Sequence, residues 1–196
     1  MPSNASRHED PRVERTRAAV IDAAASLMMN DGPGAVTHAN VAAAANVSRS
    51  TVYNHWTSRE DLLRTAIDSI RNHKPAIEDL TGALRADLRT VLAPLITDLA
   101  DDQRATMIAT MMQRALHDPE VVTVRDEFLT EFAEVFARIV ATAISSGELR
   151  PSVDAERSLA SIVGSFLFMR FMSSIVFDND AADQVIDDFI SANAPR

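Results

Sequence analysis

Residues 37–63 read THANVAAAANVSRSTVYNHWTSREDLL. Thr37 is placed to cap a short helix that runs to Ala45, because a threonine oxygen can accept from a free N–H of a first helical turn. Asn46 follows where the chain must turn, and asparagine tolerates the left-handed conformation better than most residues. Ser48 is placed to cap a second short helix reaching about Trp56. Val41, Ala42, Ala45, Val47 and Val52 stand where two such helices cross, and Ala42 is small enough for close approach. That spacing predicts a helix-turn-helix, in which the second helix enters the major groove of DNA. Its outward positions are Arg49, Ser50, Thr51, Tyr53 and Asn54, which offer donors, acceptors and a guanidinium but no carboxylate. Arg49 suits a guanine edge.

On the N-terminal side, Arg12 to Asn30 predicts a helix with Val13, Val20, Ile21, Ala24, Leu27 and Met28 at helical spacing, stopped by Gly32-Pro33-Gly34. Ser58-x-x-Asp61 is a capping-box pattern opening a linker helix that ends near His73 and Pro75. Residues 1–11 are polar and contain two prolines, so a disordered arm is expected. Longer helices are expected over about 78–99, 103–117, 119–146, 154–177 and 181–192, with Pro94 kinking or dividing the first. The domains expected are therefore the arm 1–11, a DNA-binding domain 12–74 and a second helical domain 75–196. The fold class expected is all-α, in keeping with the many alanines, five glycines and 5% aromatic content.

The net charge of −9 looks wrong for a DNA binder until it is divided. Residues 1–73 hold eight arginines against eight acids, and residues 74–196 hold eleven basic residues against twenty acids. No acid lies between Asp31 and Glu60, which marks a local face fit for an anion. With no cysteine, disulfides, thiol catalysis and cysteine-ligated metal sites are excluded. No signal-peptide pattern opens the sequence, so a cytoplasmic location is expected. The apolar run Leu159–Phe177 carries Arg170 near its centre and four serines, which argues for a helix buried on two faces rather than a membrane span. Metalloprotease, nucleophile-elbow, P-loop and dinucleotide patterns are missing, and the histidines are scattered, so neither an enzyme nor a cofactor or metal is expected.

The segment closely resembles the TetR family of bacterial transcriptional repressors. The family pattern is a threonine-capped helix, a turn ending in V-S, then T-[hydrophobic]-Y-x-[HYF]-[FW]-x-[SN]-[KR]-[ED]-x-L. Thr37, Ala42, Val47, Ser48, Thr51, Val52, Tyr53, His55, Trp56, Ser58, Arg59, Glu60 and Leu62 match it. Asn46 replaces the usual turn glycine and Arg59 the usual lysine. The resemblance implies phosphate contacts by Thr37, Tyr53, His55 and Arg59. It implies a DNA-facing surface formed by Ser48, Arg49, Ser50, Thr51 and Asn54.

The resemblance weakens toward the C-terminus. Gly147-Glu148-Leu149-Arg150-Pro151 with Asp154 looks like the loop before the last two helices of the family, which form its dimer interface. Phe166, Phe168, Phe171, Met172 and Ile175 would then seal a homodimer, with Leu167 and Met169 beside them. Met107, Met111 and Met112 form a methionine stripe, and Phe128, Phe132 and Phe136 recur every fourth residue. Methionine and phenylalanine suit a pliable pocket for an apolar or amphipathic effector, and suit an ordinary core equally well. Met107, Met111, Phe132 and Phe136 are the expected pocket residues. The function expected is a repressor that binds a pseudo-palindromic DNA operator as a homodimer and is released by a small molecule. The alternatives are a ligand-independent or activating regulator, and a helical sequestering protein with a vestigial helix-turn-helix.

Overall fold

The computed structural model describes residues 11–70 and 80–195. Apart from Pro11, the arm expected over 1–11 lies outside them, as do the end of the linker helix and the boundary at 74/75. Helices α1 (Pro11–Asp31), α2 (His38–Ala44), α3 (Arg49–His55), α4 (Arg59–Ile70), α5 (Leu84–Ala100), α6 (Asp102–Arg114), α7 (Pro119–Ser146), α8 (Ala155–Met172) and α9 (Asn179–Asn193) follow in order. A 3₁₀ turn (Pro33–Ala35) stands between α1 and α2, and the described residues contain no strand.

The described residues gather into two compact units, 11–70 with 110–124, and 80–109 with 125–195. In the first, α1 packs on α4 through Val20, Ala24 and Met28, which recur every fourth residue, against Leu62, Leu63 and Ala66. Val36, Val41, Ala42, Val52 and Trp56 complete that core, and Ala115, Val121 and Val124 are buried in the later segment. The helix-turn-helix forms as its crossing residues require: Val41, Ala42 and Val52 are buried, and Ala45 and Val47 half-buried. Asn46 takes φ 54°, while Val47 N–H donates to Ala42 O at 3.0 Å and Asn46 N–H to Ala43 O at 3.2 Å. That is a complete Schellman closure of α2, built on asparagine where glycine is more usual.

In the second unit, α5, α7, α8 and α9 share one core, with Leu88, Leu92, Ile96, Phe136, Ile162, Phe166 and Ile186 fully buried. Two helix ends differ by five residues or more from those the sequence predicts. α5 begins at Leu84, because buried Asp87 reaches back to accept from Thr81 N–H (2.7 Å), Thr81 Oγ1 (2.8 Å) and Gly82 N–H (2.8 Å), fixing a turn there. It then runs through Pro94 undivided. α8 stops at Met172, five residues early. Ser173 Oγ donates to Met169 O and accepts from Ile175 N–H, each at 3.1 Å, and Phe177 packs edge-on against Phe166 at 5.5 Å. No described helix is long and apolar enough to cross a membrane.

Candidate nucleic-acid interface

The N-terminus of the recognition helix α3 is organised by Ser48. Its Oγ accepts from Thr51 N–H at 3.1 Å and lies 2.8 Å from both Ser50 Oγ and Thr51 Oγ1. Thr37 Oγ1 likewise accepts from Asn40 N–H at 3.2 Å, capping α2. Arg49, Ser50, Tyr53, Asn54 and His55 are exposed and Thr51 is half-buried, so one outward strip of α3 carries a cation, hydroxyls, an amide, a phenol and an imidazole. Arg49 pairs with no carboxylate among the described residues.

The far end of α3 is held from two sides. Trp56 closes the helix through its N–H to Val52 O, and its indole Nε1–H donates to Thr65 Oγ1 on α4 at 2.9 Å. His38, buried at the start of α2, places Nε2 2.8 Å from Trp56 O and lays its ring flat on Tyr53. Neither the helix spacing nor the family pattern marks His38. Ser58 and Asp61 form the expected capping box, Ser58 N–H donating to Asp61 Oδ2 at 3.2 Å and Asp61 N–H to Ser58 Oγ at 3.0 Å. The Ser58 hydroxyl also donates to Asp61, and these bonds hold its carboxyl below the usual range.

Arg59 is not where the resemblance puts it. Its Nε donates to Val36 O and its Nη2 to Pro33 O, each at 2.9 Å. Its Nη1 meets Asp118 at 3.1 Å and bonds Glu120 at short range. The side chain is 16% exposed. A cation at the first residue of α4 is mildly opposed by the helix dipole, and nearby acids offset that. Asp118 and Glu120 supply them from the start of α7, and Arg114 adds a second cation to Asp118 at 3.3 Å. Burial alone would lower the Arg59 pKa, but bonds to Glu120 and Asp118 outweigh it and hold the guanidinium charged. Burial pushes Asp118 up, and the Arg59 contacts more than reverse that, leaving its carboxyl below the ordinary value. Every guanidinium nitrogen of Arg59, expected at a phosphate, is engaged in this internal clamp.

The other expected sites are distributed unevenly. Phe168, Phe171, Met172 and Ile175 are exposed, as is Val176. Phe166 is fully buried in its own core against Phe177, so the expectation that it seals a dimer is corrected. Phe136 is also fully buried in that core, Phe132 packs against it, and Phe128 and Phe132 stack at 6.4 Å. Met107 is buried in the second unit, whereas Met111 is half-buried in the first. Arg170 Nη2 donates to Asp102 Oδ1 at 2.6 Å. Among the described residues no three His, Asp or Glu side chains are gathered to hold a metal ion.

Two family models match the chain. "Bacterial regulatory proteins, tetR family" covers residues 20–66, and "Tetracyclin repressor-like, C-terminal domain" covers residues 77–189, more than half of the sequence. The uncharacterized HTH-type transcriptional regulator YdeS of Bacillus subtilis is 26% identical across 96% of this chain and 96% of its own length. The DNA-binding transcriptional repressor TetR of Mycobacteroides abscessus is 24% identical across 91% of this chain and 94% of its own. The crystal structure of NalD, the secondary repressor of the MexAB-OprM multidrug efflux pump in Pseudomonas aeruginosa, superposes with a TM-score of 0.71. It is 21% identical over 94% of this chain and 98% of NalD, a likeness of fold. With an exposed, acid-free recognition helix on a family-matched head, and a family-matched helical domain in the second half of the sequence, the chain belongs to the TetR family of bacterial DNA-binding transcriptional regulators.

Proposed function

We propose that this protein is a cytoplasmic repressor that binds a pseudo-palindromic operator as a homodimer, each recognition helix entering one half-site. The observation that supports this most is the outward strip of α3, where Arg49, Ser50, Tyr53, Asn54 and His55 are all exposed on a head with no acid between Asp31 and Glu60. Phosphates attract such a face and are repelled by the acidic remainder of the chain, so the charge distribution orients the protein on DNA. Thr37, Ser48, Thr51, Tyr53 and His55 fix position on the backbone, and Arg49 reads a guanine. Arg59 is left out of this set because its donors are engaged within the protein.

A dimer follows from Phe168, Phe171, Met172 and Ile175, whose exposure in one short stretch is costly unless a second copy covers them. The effector proposed is apolar or amphipathic, lodged in the second unit at Met107 and Phe132, with Phe136 in the core of that unit; Met111, which belongs to the first unit, is left out. A ligand releases DNA only if it binds the two head spacings with different affinity, and a coupling of about 1–3 kcal/mol would weaken operator binding roughly 5–150-fold.

The test is a footprint and mobility shift on the upstream region of the protein's own gene. Arg49→Ala should cost about 1–3 kcal/mol on the protected site and little on unrelated duplex. Equal losses on both would remove its base-reading role. The absence of any specific shift at physiological salt would favour the sequestering alternative.

A further inference from the structure

His38 is an unusual first residue for α2. A buried imidazole is costly unless its polar atoms find partners, and here both its edge and its face are used on α3. Nε2 lies 2.8 Å from Trp56 O, and because a carbonyl only accepts, Nε2 carries the proton. That bond fixes the rotation of the ring. The fixed ring then lies against Tyr53 with centroids 3.9 Å apart and planes 4° from parallel. Tyr53 itself is 51% exposed. One face of the phenol is thus covered by His38, while the remainder projects from the recognition helix.

We infer that His38 is a positioning residue for DNA recognition, holding the Tyr53 phenol at a set angle to α3 before DNA arrives. This rests on the reading of α3 as the DNA-facing helix. A phenol free on the surface samples several rotamers and loses that freedom on binding, whereas a stacked one has lost it on folding. The anchor is the end of the same helix: Trp56 offers the carbonyl, and its indole is tied to Thr65 on α4. The direction of the hydroxyl is therefore referred to α3 and α4 rather than left to solvent. Ordering one such side chain in advance corresponds to about 3–10-fold in affinity.

Two substitutions isolate the stack. His38→Phe and His38→Leu both forfeit the bond to Trp56 O, but only phenylalanine keeps a flat ring on Tyr53. Stability lost with the bond is common to both, so the difference between them reads the stack alone. Tyr53 is the only tyrosine, so protein grown with ring-labelled tyrosine gives one set of ring signals. Those signals should show ring-current displacement in the wild type and in His38→Phe, and move to solvent-exposed values in His38→Leu. The DNA probe is a duplex recovered by the wild-type protein from a random-sequence pool. His38→Leu should bind it about 3–10-fold more weakly than His38→Phe, and that difference should vanish in a Tyr53→Leu background. Should His38→Leu fail to fold, His38→Met replaces it. Equal affinities for the phenylalanine and leucine variants would overturn the proposal, as would a difference that persists without Tyr53. If the wild type recovers no duplex while the tyrosine signals remain displaced, the DNA-facing reading fails, and the role of His38 in recognition fails with it although the stack is real.

Discussion

Arg59 shows how one side chain changes allegiance when its surroundings are counted. As a phosphate contact, its removal would reduce the salt slope of DNA binding by about one. As a clamp, its removal instead leaves Asp118, 11% exposed, without its main cation and takes the Arg59 donor from Val36 O, while Pro33 O keeps the Val36 N–H. Arg59→Ala should therefore lower unfolding stability by about 1–3 kcal/mol and leave the salt slope unchanged. Denaturant melts and salt-dependent binding on one preparation check both halves. The pH dependence follows from the depressed carboxyl of Asp118. Its folded pKa lies below the ordinary 3.8, so the stabilisation is complete above that value and is lost as pH falls through the lower, folded one. The stability gap between wild type and Arg59→Ala should be full at neutral pH and shrink in acid; a gap that widened in acid would exclude the ion pair as its source. Thr37, Ser48 and Ser58 were legible beforehand because a cap reaches only three residues along the chain. The partners of Arg59 lie 59 and 61 residues away, so local spacing holds no trace of them.

Helix ends repeat that lesson. Asn46 announced the turn after α2, and the backbone there is left-handed. Asn46→Gly should be neutral or stabilise by up to about 1 kcal/mol, and Asn46→Ala should destabilise by about 1 kcal/mol, both read from thermal melts. Gly32 is more demanding. Its φ is 77°, and a Cβ there would stand 2.6 Å from Thr110 Cγ2. Gly32→Ala should cost more than about 1–2 kcal/mol from the backbone and the clash together. Adding Thr110→Ser removes the offending methyl and should recover the clash but not the strain; no recovery would mean the contact is not felt. The early end of α8 and the late start of α5 were not legible, since Asp87 reaches back five and six residues and Ser173 bonds four back and two ahead, outside the three-residue spacing of a cap. Nor did α8 reveal which phenylalanine goes inward. A helix apolar on most sides has no periodicity to separate buried Phe166 from exposed Phe168.

At the scale of the molecule, the exposed apolar stretch ending α8 sets the expected assembly. On the proposed dimer, Phe168→Glu or Phe171→Glu would bury an unpaired charge in the subunit interface and yield monomers in sedimentation. Folded dimers from both would move the interface elsewhere. The head has its own large-scale property: it is not one continuous piece of chain. Residues 110–124 belong to it, bringing Ala115, Val121 and Val124 to burial and Asp118 and Glu120 to Arg59. A fragment ending at Ile70 would leave Arg59 without both carboxylates, and should show reduced helicity and broadened melting compared with the head in the whole chain. Anyone grafting this reading head onto another family member therefore has two seams to cut rather than one. A chimera carrying 11–70 alone would marry Arg59 to a stranger's α6–α7 corner, whereas one that also carries 110–124 takes the lock together with its key.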